Sequence, residues 1–232
     1  MTLVSIFDPR VKAIEIRENN EPLVDVAEMK KVILSSEWAE NYPSFRLVRQ
    51  SVYDSLQNVA NDLPDDMYLF FIEGHRPLTI QEQLFSQYSN KLQGNNPDWD
   101  EDKIFNEAAK LVAPPTKVPP HLTGSAVDVV LCDKDGNLLD MGSPVDDDPD
   151  LNEGRNILDA TNISEKSQEN RQFYGNLMKK HGFVNYDYEW WHWSKGDQYS
   201  AFKKGKDHAI YDVINAESHP IYREPVMKAY YS

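Results

Sequence analysis

The sequence is poor in cysteine: Cys132 is the only one among 232 residues. An internal disulfide is therefore excluded. Because Cys132 lies in a run of apolar residues, we predict that it is a buried thiol without a reactive role.

Long hydrophobic runs are missing as well. No window approaches the roughly 18 consecutive apolar residues that a membrane-spanning helix requires. The N-terminal stretch acquires charged side chains before a hydrophobic signal region could form. We therefore expect a cytoplasmic protein with no membrane partner. A periplasmic protein from which a signal had been removed would have the same sequence.

Basic side chains are outnumbered, with 24 Lys and Arg against 38 Asp and Glu, which gives a formal net charge of −14. This balance argues against nucleic acid as a partner, since non-specific binding to phosphates needs a basic surface. A hydrophobic content of 40% and an aromatic content of 11% are typical of a globular protein. The length fits one domain over residues 1–232.

Periodicity gives a coarse view of the elements. Apolar residues spaced by three or four predict helices over 45–61, 80–92, 101–112 and 164–180, the second with Thr79 and Glu82 as a capping box. Apolar runs predict strands over 67–72 and 183–193 and directly after Asp128, with a hairpin turn at 134–137. Long helices mixed with hairpin-joined strands indicate an α+β fold with a mainly antiparallel sheet and flanking helices.

One stretch brackets a Gly-Ser-Ala turn between a histidine and an aspartate, His121 and Asp128. Pro119 and Pro120 before it predict an extended approach. Residues seven apart point to opposite faces of a straight strand, so both side chains can reach one metal ion only if the chain turns between them. Gly124 provides the conformational freedom for such a turn.

A second stretch, Glu189-Trp190-Trp191-His192-Trp193, holds another histidine and an acid. Two imidazoles and one carboxylate are a recurring ligand set for catalytic zinc, and a further carboxylate can act as general base. Glu189 and His192 need a bend or bulge in their strand to face one site. From the residues alone, purely structural roles stay open. His121 could be a core or surface histidine, Asp128 could cap a helix or form an ion pair, and the tryptophans around His192 could belong to the core.

These motifs resemble a known family. The pattern Pro119-x-His121-x-x-Gly124-x-Ala126-x-Asp128, followed by Glu189-x-x-His192, is similar to zinc peptidases that include D-alanyl-D-alanine dipeptidases, D,D-carboxypeptidases and hedgehog-like domains. The narrower resemblance is to dipeptidases of the vancomycin-resistance type. It is carried by residues 73–77 (Glu-Gly-His-Arg-Pro), residues 141–146 (Met-Gly-Ser-Pro-Val-Asp) and the tryptophans beside His192.

The resemblance implies a hedgehog-like fold with one zinc ion per chain at the sheet, bound by His121, Asp128 and His192. Glu189 would take a proton from the attacking water and pass it to the leaving amine. Arg76 would stabilise the developing oxyanion, and Glu73 would orient Arg76 or a neighbouring ligand. Asp146 would bind the free ammonium group of the substrate through a buried charge.

The resemblance therefore predicts zinc-dependent hydrolysis of D-alanyl-D-alanine or a close D,D-dipeptide, a small substrate as the partner, and a role in cell-wall turnover, nutrient recycling or glycopeptide resistance. The alternatives are a D,D-carboxypeptidase acting on cell-wall peptides and a non-catalytic, zinc-stabilised binding module. Two departures leave the exact dipeptide open. Pro119 stands where the family usually has serine, and residues 41–45 only loosely match its Asn-Phe-Thr-Gly-like stretch. The sequence does not give the oligomeric state.

Overall fold

A computed structural model describes residues 3–36, 42–115, 119–147 and 152–214. The strands in this part of the chain, numbered in order, are β1 (Glu15–Ile16), β2 (Leu23–Asp25), β3 (Val32–Leu34), β4 (Leu47–Arg49), β5 (Met67–Glu73), β6 (Ala126–Asp133), β7 (Val184–Tyr186), β8 (Glu189–Ser194) and β9 (His208–Ala209). The helices are α1 (Pro9–Lys12), α2 (Gln50–Asp62), α3 (Leu78–Asn95), α4 (Glu101–Leu111), α5 (Glu165–Lys180) and α6 (Gln198–Lys203). The single domain over 1–232 stays a prediction.

The main sheet has five strands in the order β3-β5-β6-β8-β7. The β3–β5 pairing is parallel, and the other pairings of this sheet are antiparallel. The predicted α+β fold with a mainly antiparallel sheet is confirmed. Strand β6 lies at the centre, and all but its last residue are buried. Burial on both faces explains why residues 129–132 form a continuous apolar run rather than an alternating one.

Helix α2 packs its apolar side against the core through Val52, Leu56 and Val59. The predicted helix over 45–61 begins too early, because residues 47–49 form β4 and pair with β2 in an antiparallel register. A short apolar run is compatible with a helix as well as with a strand, because it is too short to distinguish their periodicities. Pairing with a segment more than twenty residues earlier in the chain decided in favour of the strand.

Helix α3 begins at Leu78, and its N-terminal neighbour Pro77 makes no side-chain capping bond. The predicted capping box of Thr79 and Glu82 is therefore wrong: Thr79 lies inside the first turn. Helices α4 and α5 match their predictions closely, and the Ser164 side chain accepts a hydrogen bond from the Ser167 backbone N–H at the start of α5.

The predicted strand over 183–193 is two strands, β7 and β8, joined by a tight connection. Tyr186 pairs with Glu189, and the register shifts between Asn185 and Tyr186. The hairpin turn predicted at 134–137 is present, since the Asp133 N–H donates to the Asn137 carbonyl at 3.0 Å. The turn at 134–137 was thus predicted correctly from its local residues, whereas the turn between β7 and β8 was not predicted.

Cys132 lies in β6 and is fully buried, as predicted. Burial raises the pKa of its thiol to about 11, so the reactive thiolate is suppressed near neutral pH. Separately, none of the helices in the described ranges combines the length and the apolar character needed to cross a bilayer.

Candidate active site

The three predicted metal ligands lie on neighbouring elements. Asp128 in β6 and His192 in β8 are directly opposite one another in the antiparallel register. His121 lies in a 3-10 turn, Pro120–Thr123, which begins after Pro119. Pro119 is extended, as predicted, but the extended segment ends there: Pro120 opens the turn, because proline also fits the first position of a helical turn.

The turn required between His121 and Asp128 is present. Gly124 ends the 3-10 turn with φ +69°, a left-handed conformation that favours glycine. A side chain at Gly124 would also collide with the Leu23 side chain, since an added Cβ would lie 2.7 Å from its Cδ2 atom. The reversal brings the His121 ring back over the start of β6, next to Asp128.

The donor atoms of the three residues converge. His121 Nε2 lies 3.2 Å from His192 Nδ1 and 3.4 Å from Asp128 Oδ2, and His192 Nδ1 lies 2.9 Å from Asp128 Oδ1. A tetrahedral zinc ion with bonds of about 2.0–2.1 Å holds its ligand atoms about 3.3–3.4 Å apart. The observed spacing and the set of nitrogen and oxygen donors therefore fit a zinc ion.

The other ring nitrogen of His121 fixes the direction of its free lone pair. His121 Nδ1 lies 2.7 Å from the Gly74 carbonyl oxygen and donates to it, which leaves the Nε2 lone pair facing Asp128 and His192. Gly74 directly follows β5, and its backbone is closely packed: an added Cβ would lie 2.6 Å from the Leu47 carbonyl oxygen. His75, fully buried, contacts the His121 carbonyl through Nδ1 at 3.1 Å.

The electrostatics favour a charged cluster. Burial opposes ionisation of Asp128, but His121 and His192 hold its pKa well below the ordinary value. Burial likewise opposes protonation of His121, but the neighbouring Asp128 carboxylate raises its pKa overall. The carboxylate is thus ionised at neutral pH, as a metal ligand must be.

Glu189 opens strand β8 at the edge of this cluster. Its carboxylate lies 3.9 Å from His192 Nδ1, and its side chain is 30% exposed. Between the paired residues Tyr186–Glu189 and Asn185–Trp193, β8 contains extra residues, which is the bulge that Glu189 and His192 needed to face one site. Removal from solvent raises the pKa of Glu189 to about 8, His192 opposes that shift, and Asp128 and Asp146 add to it.

Arg76 is held by two side chains. Glu73 accepts from the Arg76 Nε at 2.6 Å and also from Nη2, and the Gln81 Oε1 accepts from Nη1 at 2.9 Å. Glu73 is itself buried and accepts a hydrogen bond from the Tyr42 hydroxyl. Sequence reasoning identified Glu73 and Arg76 but missed Gln81 and Tyr42.

Asp146 lies in the loop after β6 and has φ +57°. Its side chain lines the same cavity as the histidines, but Asp146 is exposed. The buried charge expected at this position is therefore an exposed one. Residues 148–151 of the acidic loop lie outside the described part of the chain, and so does the first residue of the loose match at 41–45.

One cavity joins these groups. Its lining consists of Ile6, Phe7, Arg76, Ala109, Ala113, Pro119, Pro120, His121, Asp128, Asp146, Tyr186, Glu189 and His192. All the predicted site residues except Glu73 face this cavity, and Glu73 contacts it through Arg76. Ile6, Phe7 and Tyr186 were missed, since no local motif marks them.

A partly buried polar network connects the Asp146 loop with β8. The Ser143 hydroxyl accepts from the Trp190 indole at 3.0 Å and from Arg171 at 3.1 Å, and donates to the Asn156 side chain at 2.9 Å. The Asn156 side chain donates to the Asp147 carbonyl at 2.8 Å, and the Asn156 backbone carbonyl accepts from the Trp190 backbone N–H at 2.8 Å. The loop that carries Asp146 is thereby tied to the strand that carries Glu189.

The sequence is similar to those of known proteins over much of its length. The family model Peptidase_M15, described as D-ala-D-ala dipeptidase, matches residues 46–215. A D-alanyl-D-alanine dipeptidase of Synechocystis is 26% identical over 186 residues, which cover 69% of this chain and 72% of the relative. A D-alanyl-D-alanine dipeptidase of Escherichia coli is 33% identical over 91 residues, 35% of this chain and 45% of the relative. A solved structure of VanYB in complex with D-Alanine-D-Alanine is 14% identical, with a TM-score of 0.44, and covers 84% of this chain and 93% of that one.

Proposed function

The chain belongs to the D-alanyl-D-alanine dipeptidase family of peptidases, and from that premise we propose that it hydrolyses D-alanyl-D-alanine or a close D,D-dipeptide in a zinc-dependent reaction. The observation that carries the proposal is the convergence of His121 Nε2, His192 Nδ1 and the Asp128 carboxylate at separations of 2.9 to 3.4 Å. These three residues would hold one zinc ion per chain.

When bound, a zinc ion supplies Lewis acidity toward the scissile carbonyl and makes the attacking water more acidic. Glu189 takes a proton from that water as its oxygen adds to the carbonyl carbon. The carbon–nitrogen bond then breaks, and Glu189 returns the proton to the leaving amine. A carboxylate whose pKa lies well above its usual range holds a proton more readily than an ordinary one, which suits this transfer.

Arg76 is the group proposed to stabilise negative charge on the carbonyl oxygen. Its guanidinium lines the cavity, and Glu73 and Gln81 hold it by hydrogen bonds on both sides. A donor that is already oriented needs no rearrangement as charge develops in the transition state. Glu73 is thus a positioning residue that acts through Arg76.

Asp146 is proposed to bind the free ammonium group of the dipeptide. Its carboxylate lines the same cavity as Glu189, and its negative charge adds to the rise in the pKa of Glu189 that burial causes. A cationic group between them would relieve this repulsion. An acylated substrate has no ammonium group and would lose that interaction.

The compartment and the physiological role belong to the same proposal. Activity in the cytoplasm and a part in the turnover of cell-wall peptides stay predictions. Cell fractionation with detection of the protein tests the first, and the dipeptide content of cells with and without the gene tests the second.

The decisive experiment incubates the zinc-loaded protein with D-Ala-D-Ala, L-Ala-L-Ala and an acylated D-Ala-D-Ala peptide and follows released alanine, with and without chelator. Cleavage of the free D,D-dipeptide that chelator abolishes and zinc restores is the expected result. Preferred cleavage of the acylated peptide would identify a carboxypeptidase instead. Zinc binding without cleavage of any of them would point to a binding module.

A further inference from the structure

The chain forms a β-turn near its start, residues 5–8, here called the N-terminal turn. The Asp8 N–H donates to the Ser5 carbonyl at 2.9 Å, which places Ile6 and Phe7 at the two central positions. The Phe7 N–H also donates to the Ser5 hydroxyl at 3.1 Å. The Asp8 side chain then accepts from the Arg10 N–H at 2.8 Å and caps α1. Local hydrogen bonds therefore fix the shape of the turn.

Contacts with distant residues anchor the N-terminal turn on both sides. Before it, the Val4 N–H donates to the Asp187 carboxylate at 2.9 Å, in the connection between β7 and β8. After it, the Gln198 side chain in α6 donates to the Ile14 carbonyl at 2.7 Å. The Arg10 guanidinium lies over the Phe202 ring, 5.3 Å from its centre. The turn is held against the same hairpin that carries Glu189 and His192.

The N-terminal turn reaches the active-site cavity directly. Ile6 and Phe7 both line the cavity. The Tyr186 hydroxyl interacts with the Ser5 side chain and the Ile6 backbone, and its ring packs edge-on against His192 with centroids 5.7 Å apart. Tyr186 thus connects the turn with a proposed metal ligand.

The apolar part of the cavity lining is uneven. Apart from the N-terminal turn it consists of small or cyclic side chains: Ala109, Ala113, Pro119 and Pro120. Within the described lining, Ile6 and Phe7 are the two large side chains made only of hydrocarbon. The family match begins at residue 46, so this wall comes from a part of the chain that the match does not include.

We propose that Ile6 and Phe7 limit the size of the side chains that the dipeptide can carry. The proposal rests on the proposed function, because it takes a D,D-dipeptide as the occupant of the cavity. The anchored turn cannot retreat without losing the contacts of its segment with β7, with the β7–β8 connection and with α6. An alanine-sized side chain is accommodated, and a leucine-sized one overlaps the Ile6 and Phe7 side chains.

The test measures binding in a Glu189→Gln background loaded with zinc, so that no turnover is needed. Calorimetry gives the dissociation constants for D-Ala-D-Ala, D-Ala-D-Leu and D-Leu-D-Ala. In Ile6→Ala or Phe7→Ala, at least one leucine dipeptide gains at least about tenfold in affinity relative to D-Ala-D-Ala, since even one methylene in a hydrophobic pocket changes selectivity by that order. Ile6→Val and Phe7→Leu provide a milder test of the same ratio if an alanine variant does not fold.

Leu3→Ala is the matched control, because Leu3 belongs to the same segment but lines a separate groove on the surface. In this variant the affinity for each leucine dipeptide relative to D-Ala-D-Ala should equal that of the parent. The inference is wrong if the ratio stays within twofold of the parent in the variants at both positions, or if Leu3→Ala changes it equally. A parent that binds zinc but none of the dipeptides would overturn the proposed substrate, which is a separate outcome from an unchanged ratio.

Discussion

Asp128 and His192 face each other across the β6–β8 pairing, with the Asp128 Oδ1 and His192 Nδ1 atoms 2.9 Å apart. Both strands are interior to the main sheet, so backbone hydrogen bonds to neighbouring strands fix the positions of the two side chains. Only His121 comes from outside the sheet. Two of the proposed ligands are therefore positioned by interior strands of the sheet, and the position of the third depends on the contacts that hold its 3-10 turn.

The hydrogen bond from His121 Nδ1 to the Gly74 carbonyl is one of those contacts. Gly74→Ala would place a Cβ 2.6 Å from the Leu47 carbonyl oxygen and displace the Gly74 carbonyl that accepts from His121 Nδ1. Zinc affinity should fall by about 10–100-fold, the usual effect of losing such an outer contact. Competition with a fluorescent zinc chelator measures it. Gly94→Ala is the control, since an added Cβ at Gly94 meets nothing within 4 Å; equal affinities in the two variants would contradict the prediction.

Replacing the proposed base tests the chemistry apart from the metal. Glu189→Gln keeps the shape of the side chain but cannot accept the proton, so kcat should fall by at least about 10²–10⁴-fold. Zinc content, measured by atomic absorption, should equal that of the unaltered protein, since Glu189 is not among the proposed ligands. Turnover retained at the original rate would exclude Glu189 as the base.

The ammonium site is tested by Asp146→Asn. Asparagine tolerates the φ of +57° at this position, so the change removes the charge and leaves the backbone conformation. We expect kcat/KM for free D-Ala-D-Ala to fall by about tenfold or more, and that for the acylated peptide to stay the same or rise. Asp147→Asn is the control in the same loop, because the contact of Asp147 with Asn156 uses its backbone carbonyl. Equal losses on both substrates would remove Asp146 from the ammonium site.

The network behind that loop gives a further prediction. Arg171 donates to the carbonyls of Met141 and Ile157, both at 2.6 Å, and lies over the Trp190 ring. Arg171→Met leaves both carbonyls without these donors, which costs up to about 1–3 kcal/mol for each, and it loosens the Asp146 loop. The melting temperature should fall, and KM for the dipeptide should rise about tenfold while zinc affinity stays unchanged.

Steady-state kinetics measures KM, and calorimetry measures the melting temperature and the zinc affinity. Arg17→Met is the control, since the Arg17 side chain is 58% exposed. An Arg171→Met protein that melts earlier but keeps its original KM would show that Arg171 stabilises the fold without positioning the loop.

Several features of this protein followed from the sequence alone. Helices α4 and α5, the apolar strand β6 and the turn after Asp133 were predicted because each depends on residues close together in the chain. The two site motifs predicted the convergence of His121, Asp128 and His192, together with the reversal at Gly124. Family membership followed from the same motifs.

Only the tertiary structure decided the rest. Whether residues 47–49 form a helix or a strand depended on pairing with β2, and whether Asp146 is buried depended on where its loop lies relative to the cavity. The contacts of Tyr42 and Gln81 with the Glu73–Arg76 pair, and of the N-terminal turn with the cavity, leave no periodic or local signal. The physical reason is the same in each case: such contacts join residues far apart in the chain, and the free energy that selects them exists only once the sheet and its helices have packed.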